Sequence, residues 1–425
     1  MKLKKKMAKQ SLPVHEVTTK RSKDDAASAV KLSRRFLTVL GIWQLDEKGH
    51  FSWRLVLSYF LLILCYFGLG IRTIPTIIYI FLDAKEVVQI CILISRALFC
   101  LMACLKYIFL KLHRRDIENC VKHIEMDWLG VESSANRDIM LEHSRYGLLV
   151  TRIIAVFTYS GATWQAILPY VLKKTAAAVA NDNVTQVVTI RTFPVPSHFG
   201  FNLATKTPLF EIISTSQIVA TFMMHSIAIA SYSIAVVSVM HACGQLKILM
   251  EKINHLIDGN GETAEDNVHG RLSNIVRHHV KTLRFISSAE KMLREICLID
   301  LGGCTLELCF LGYFNILEWR AEHKNFVGIM VYLTLFVTFT FNIFSFCYIG
   351  ELLTEECSKV GEMTYMIDWY RLPGKQPLAL CLIITMAHSP MTLTAGGAIQ
   401  LSFRCFASVI KTSMGYLNML RTVMD

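Results

Sequence analysis

FVGIMVYLTLFVTFTFNIFSFCYIG, from Phe326 to Gly350, contains neither a charged side chain nor a proline. As an α-helix it would rise roughly 37 Å, more than the ~30 Å hydrocarbon core of a bilayer. Water cannot satisfy backbone N–H and C=O groups inside lipid, so such a run spans a membrane as a helix. Working outward, similar blocks recur along the chain. Seven spans are predicted, at about 55–80, 87–110, 147–171, 209–240, 298–319, 326–351 and 402–423. Across the 425 residues, 53% are hydrophobic and only 18% charged, below the quarter usual in soluble domains. The fold class is therefore an all-α polytopic membrane protein.

Lysine and arginine placement gives the orientation. With the N-terminus inside, segments 1–54, 111–146, 242–297 and 351–401 carry 13, 6, 8 and 3 basic residues. The opposite side carries 1 in 81–86, 4 in 172–208, 2 in 320–325, and Arg421. The expectation is a cytosolic N-terminus and an extracellular C-terminus. Asn183, in the sequon Asn183–Val184–Thr185, falls in the largest external loop, 172–208, and is a candidate glycosylation site.

The organisation follows. Residues 1–54 form a basic cytosolic segment, and 55–240 hold spans one to four. Residues 241–297 make a cytosolic linker, 298–351 hold spans five and six, 352–401 form a cytosolic segment, and 402–425 are the seventh helix. MKLKKKMAKQ has the basic start of a secretory signal but no apolar core after it, and reads as a disordered cytosolic tail, with adhesion to anionic lipid headgroups as the alternative. In the linker, Val276, Val280, Leu283, Ile286, Leu293 and Ile296 recur at helical spacing, which predicts a helix running on into span five. His278 and His279 on that helix read as solvated surface. PLALCLIITMAHSPMTL, 377–393, is too short to span and predicts a buried cytosolic helix before the Gly396–Gly397 break. None of the thirteen cysteines falls in a predicted external loop and no CxxC pair occurs, so they read as small apolar fillers.

The terminal helix is polar on one side. Arg404, Ser408, Lys411, Gly415, Asn418 and Thr422 form one stripe, flanked by Phe403, Phe406, Val409, Ile410, Leu417 and Leu420. Such a helix can cross a bilayer with one face on water. Arg404, near the cytosolic end, is read as snorkelling. Arg96 lies midway along span two, where a charge costs about 2.5–3.5 kcal/mol on insertion scales. Glu307 in span five is the candidate partner.

GELLTEECSKVGEMTYMIDWYRLP (350–373), AHSPMTLTAGG (387–397) and VIKTSMGYLNML (409–420), in that order, resemble the C-terminal third of insect odorant receptors. FPVPSHFGFNLATKTPLFEI (193–212) resembles the family's second external loop. The resemblance implies an odorant-gated, non-selective cation channel in the plasma membrane of olfactory neuron dendrites. A tuning subunit joins a co-receptor subunit in a heterotetramer, binds a small volatile, and uses no cofactor. Residues 352–401 would belong to the cytosolic anchor of the tetramer. The chain lacks the co-receptor's long insert between spans four and five, so it resembles a tuning subunit.

The same resemblance implies that the seventh helix lines the pore. Lys411, Gly415, Asn418 and Thr422 are then pore-facing, and Met419 and Val423 match the family's gate, where apolar side chains close a pore by dewetting. The ligand site is expected between spans two, three, four and six. Phe157, Ser160, Gly161 and Trp164 offer a recess beside an aromatic wall, Trp164 having a second reading as an interfacial tryptophan. Tyr332, Leu335 and Phe336 from span six join Ile94, Ala97, Ile213, Ser216 and Gln217 from spans two and four. The expected cavity is mostly apolar, with few hydrogen-bonding groups.

Catalysis finds no support: there is no P-loop, no G-x-S-x-G and no H-E-x-x-H. Nucleic acid is not an expected partner; membrane lipid is. A gustatory-receptor-like channel is the nearest alternative, although its terminal T-Y…Q-F signature is absent. A G-protein-coupled receptor would need the opposite orientation. A transporter would need a pair of broken spans, which the sequence does not show.

Overall fold

The computed structural model describes residues 14–43, 53–82, 86–131, 133–179, 195, 208–257, 264–321 and 326–424. Ten α-helices run through them: α1 Val14–Val39, α2 Trp53–Leu82, α3 Val87–Leu112, α4 Arg114–Leu129, α5 Ser134–Val179, α6 Leu209–Asn254, α7 Ala264–Arg320, α8 Phe326–Met366, α9 Gln376–His388 and α10 Phe403–Met424. Among the described residues, α2, α3, α6, α7 and α8 are long and apolar enough to cross a membrane. α10 is the shorter terminal helix and carries Arg404, Lys411 and Arg421.

α6 is the centre of the bundle. From Ile227 to Leu246 every side chain is buried, because α5, α7 and α8 pack round it. A helix buried on all sides must be apolar or self-satisfied on all sides. Its serines comply: Ser231, Ser233 and Ser238 donate to the carbonyls of Ala228, Ala230 and Ile234 at 2.7–2.9 Å. α2 shows the opposite face, with Tyr59, Phe60, Ile63, Phe67 and Phe81 exposed, as lipid contact requires.

α7 has 57 residues and rises roughly 85 Å, far more than a bilayer core. α6 and α8 also overrun a membrane, so the bundle has an apolar layer and a second layer beyond it. In the second layer α1 packs on α4, α5 and α6. Ala26, Ala29, Val30, Ser33, Leu37 and Leu40 form its buried face. Asp25 accepts from Arg137, and Arg34 pairs with Glu125 and lies over Trp43. The expected disordered tail, residues 1–10, lies outside the described residues; from Val14 a face at 3–4 residue spacing gives the segment a hydrophobic reason to fold.

Two further expectations are revised. α9 buries only Leu380, Ile383 and Ala387, leaving Leu378, Leu382 and Met386 exposed. His279 is buried and His278 is hydrogen-bonded, so neither is solvated surface; α4 and the lower part of α6 cover that face of α7. Gly396 and Gly397 turn the chain at φ 65° and 76°, pairing Thr394 with Gln400 in a short hairpin. Close approach explains Gly350, where a Cβ would sit 2.5 Å from the Leu401 carbonyl oxygen. This seats the start of α10 against α8. All thirteen cysteines are free thiols, and all but Cys104 and Cys381 are buried.

Candidate ligand cavity

A largely enclosed cavity of about 50 Å³ lies inside the apolar layer. Its walls come from α2 (Arg72), α3 (Ile92, Ser95, Arg96, Phe99), α5 (Gln165), α7 (Glu307, Leu311, Phe314) and α8 (Val331, Tyr332, Leu335, Phe339), with Val195 above. Two aromatic pairs form much of the wall. Phe99 meets Phe339 edge-on at 5.6 Å, and Phe314 lies 5.4 Å from Tyr332.

A few polar groups face this apolar space. Ser95 donates to Glu307 Oε2 at 2.8 Å, while Glu307 Oε1 and Gln165 Oε1 have no partner among the described residues. Arg72 bonds Thr221 and reaches the Gln217 carbonyl at 3.4 Å. Gln217 spends its amide on Val195, accepting from its N–H at 3.1 Å and donating to its carbonyl at 3.4 Å. Arg96 shares the cavity with Glu307, but among the described residues no ion pair joins them; Ser95 holds the carboxylate instead. The chemistry suits a small, mostly apolar molecule with one or two hydrogen-bonding groups.

The structure brings Tyr332 and Leu335 to the cavity. Gly161 abuts that wall, since a Cβ there would lie 3.2 Å from Leu335. The other predicted residues stand further off. Ile94 and Trp164 are exposed, and Phe157 stacks on Phe341 at 4.7 Å. Ser160 caps the Phe157 carbonyl, and Ser216 lines a separate open groove with Phe67 and Met223. Ala97 and Phe336 are half-buried, and Ile213 and Gln217 are buried outside the lining. α6 contributes nothing to the lining because Val195 and Arg72 occupy its face at that level. α7 takes its place. Phe99, Gln165, Phe314 and Phe339 also line the cavity and were not expected; Gln165 as a polar residue in a span, and Phe339 one turn from Leu335, were the available signals. Asn183 lies outside the described residues.

On α10, Cys405, Val409, Ser413 and Leu417 are buried against α7 and α8. Lys411, Gly415, Asn418, Met419, Thr422 and Val423 are exposed on its other side. Ser413 donates to the Thr305 carbonyl at 3.0 Å. Gly312 faces Leu417, whose nearest atom would lie 3.1 Å from a Cβ placed there.

Fold and cavity define an all-α polytopic membrane protein with a chamber inside its bundle. The chain belongs to the 7tm odorant receptor family, whose family model matches residues 86–414. It is 25% identical over 219 residues to odorant receptor 10 of Aedes albopictus, covering 51% of this chain and 57% of that one. To odorant receptor 13a of Drosophila melanogaster it is 24% identical over 197 residues, covering 44% and 46%. The chain thus spans about half the length of the curated relatives it matches. The olfactory receptor OR5 of Machilis hrabei, solved in complex with eugenol, has the same fold: TM-score 0.72, 17% identity, 93% of this chain and 97% of that one covered.

Proposed function

We propose that this chain is the odorant-tuning subunit of a ligand-gated, non-selective cation channel, assembled with a co-receptor as a heterotetramer in the plasma membrane of an olfactory neuron. In this reading seven helices cross the membrane, α2, α3, α5, α6, α7, α8 and α10, with the N-terminus cytosolic and the C-terminus extracellular. A small volatile occupies the enclosed cavity. The Machilis receptor holds eugenol, a small phenol, and the aromatic wall with its few polar atoms supports a ligand of that kind here.

One observation carries the proposal. Within about two turns, α7 gives Glu307, Leu311 and Phe314 to the cavity and Thr305 and Gly312 to α10. A ligand needing more than the free space must displace a wall, and this wall also holds the terminal helix. Binding opens a pore only by favouring the arrangement in which α10 has moved. Met419 and Val423 would then leave the axis, and Asn418 and Thr422 would meet water.

A panel of volatiles applied to cells expressing this chain with a co-receptor tests the assignment. Odorant-evoked cation current is expected from the pair and little from this chain alone. Equal currents without the co-receptor would remove the heteromer from the account.

A further inference from the structure

A second cavity lies in the layer beyond the apolar one, between the α4–α5 junction, the end of α6 and the first half of α7. It measures about 530 Å³, within the range of small-molecule sites. Its walls carry Lys252, Arg271, Arg277 and Lys281, with the imidazole of His278 among them. Asp127 is the carboxylate among its lining residues, and that charge is already committed to His241 at 3.0 Å and to Lys281. Arg277 has no carboxylate partner among the described residues.

Burial lowers the proton affinities of the groups here, and the neighbouring cations add to it. His278 is pushed down to about 4 by burial, with Lys252 and Lys281 adding to the effect. Lys252 is lowered by burial and by Lys281. The hydrogen bonds agree with a neutral ring: Nδ1 accepts from Lys252 at 2.9 Å, and Nε2 donates to the Gln245 side-chain oxygen at 2.9 Å. Lys252, Arg277 and Lys281 stand round one cavity whose described lining holds a single carboxylate, Asp127, and this excess of cations suits a multiply charged anion.

The remaining lining narrows the class. Among the described residues no phenyl, phenol or indole ring lines the space; its rings are the imidazoles of His255 and His278. Asn136 and Asn274 do face it, and amides hydrogen-bond hydroxyls. We propose that this cavity binds a phosphorylated polyol of the inositol-phosphate type, its phosphates on Lys252, Arg277 and Lys281 and its hydroxyls toward Asn136 and Asn274. The ligand's source is either a phosphoinositide headgroup of the inner leaflet or a soluble inositol phosphate. Only the lipid source rests on the proposed membrane orientation, which puts 111–146 and 242–297 in the cytosol.

The test is direct binding to the full-length receptor purified in detergent with its co-receptor, at about 150 mM salt so that long-range attraction is screened. Inositol trisphosphate, short-chain phosphatidylinositol bisphosphate and unphosphorylated inositol are the probes. The phosphorylated probes are expected to bind and inositol is not. Binding of the lipid alone assigns a headgroup; binding of the soluble probe as well allows either source. Lys252→Gln and Arg277→Gln should each weaken binding roughly tenfold or more, as loss of a charge-assisted hydrogen bond does. Arg277→Lys, which keeps the charge, should recover most of it and guards against misfolding. No binding of either phosphorylated probe, or binding unchanged in Arg277→Gln, overturns the proposal. Because no odorant or current is measured, failure of the channel reading leaves this result standing.

Discussion

Single residues differ sharply in what they touch, and two pairs expose the difference. Tyr332 lines the cavity, whereas Trp164, expected there or at the membrane interface, is exposed beside Gln165. Tyr332→Ala should raise the half-maximal odorant concentration roughly tenfold or more, because a buried ring contributes on the order of 1–3 kcal/mol. Trp164→Ala should leave the dose–response curve within about threefold. The second pair is Lys106 and Asp300, 5% and 1% exposed at their side chains, joined as an ion pair that Tyr232 also contacts. Lys106→Met strands a buried carboxylate and should cost about 3–5 kcal/mol. Thermal unfolding should show that loss, and the double variant Lys106→Met, Asp300→Asn should recover part of it. Equal stability of wild type and Lys106→Met would mean the pair does not hold α3 to α7.

Among the elements, α7 carries the most consequence, and its first half adds a pH dependence. Burial holds His278 at about 4, below its ordinary 6.5, so the unfolded chain takes up the proton first as pH falls. Its contribution is complete above about pH 6.5 and declines as pH drops towards 4, by up to about 3 kcal/mol. His123 and His279 are also pushed down by burial, so His278→Gln should remove only part of the acid loss. Melting temperatures at roughly pH 7.5, 6.0 and 5.0 should converge partly in the variant. A variant as acid-sensitive as the wild type would exclude His278. The helical pattern of α7 was legible, since its apolar residues recur from Val276 to Ile296. Which side of it faced protein was not, because covering a mixed face depends on α4 and α6 arriving there. The same reason hid the packing of α1, and it hid the replacement of α6 by α7 in the cavity wall. Tyr332 and Leu335 were readable because α8 is apolar without interruption. Arg72 and Gln165 are polar residues in spans, which alone gives no sign of what they face.

At the scale of the whole molecule, the bundle joins an enclosed chamber to a terminal helix whose polar stripe faces outward. The stripe was plain in the sequence, and its flanking residues Val409 and Leu417 are the ones that pack on the bundle. The central claim is that the outward face of α10 lines a conduit that odorant binding opens. Thiol accessibility tests it most directly, with single cysteines at Leu417, Asn418, Met419, Leu420 and Thr422 in receptor–co-receptor complexes. A water-soluble thiol reagent should alter current at Asn418, Met419 or Thr422, faster when odorant is present, and leave Leu417 and Leu420 unaffected. Modification at Leu417 and Leu420 with silence at Asn418, Met419 and Thr422 would make the polar stripe a packing seam and contradict the account.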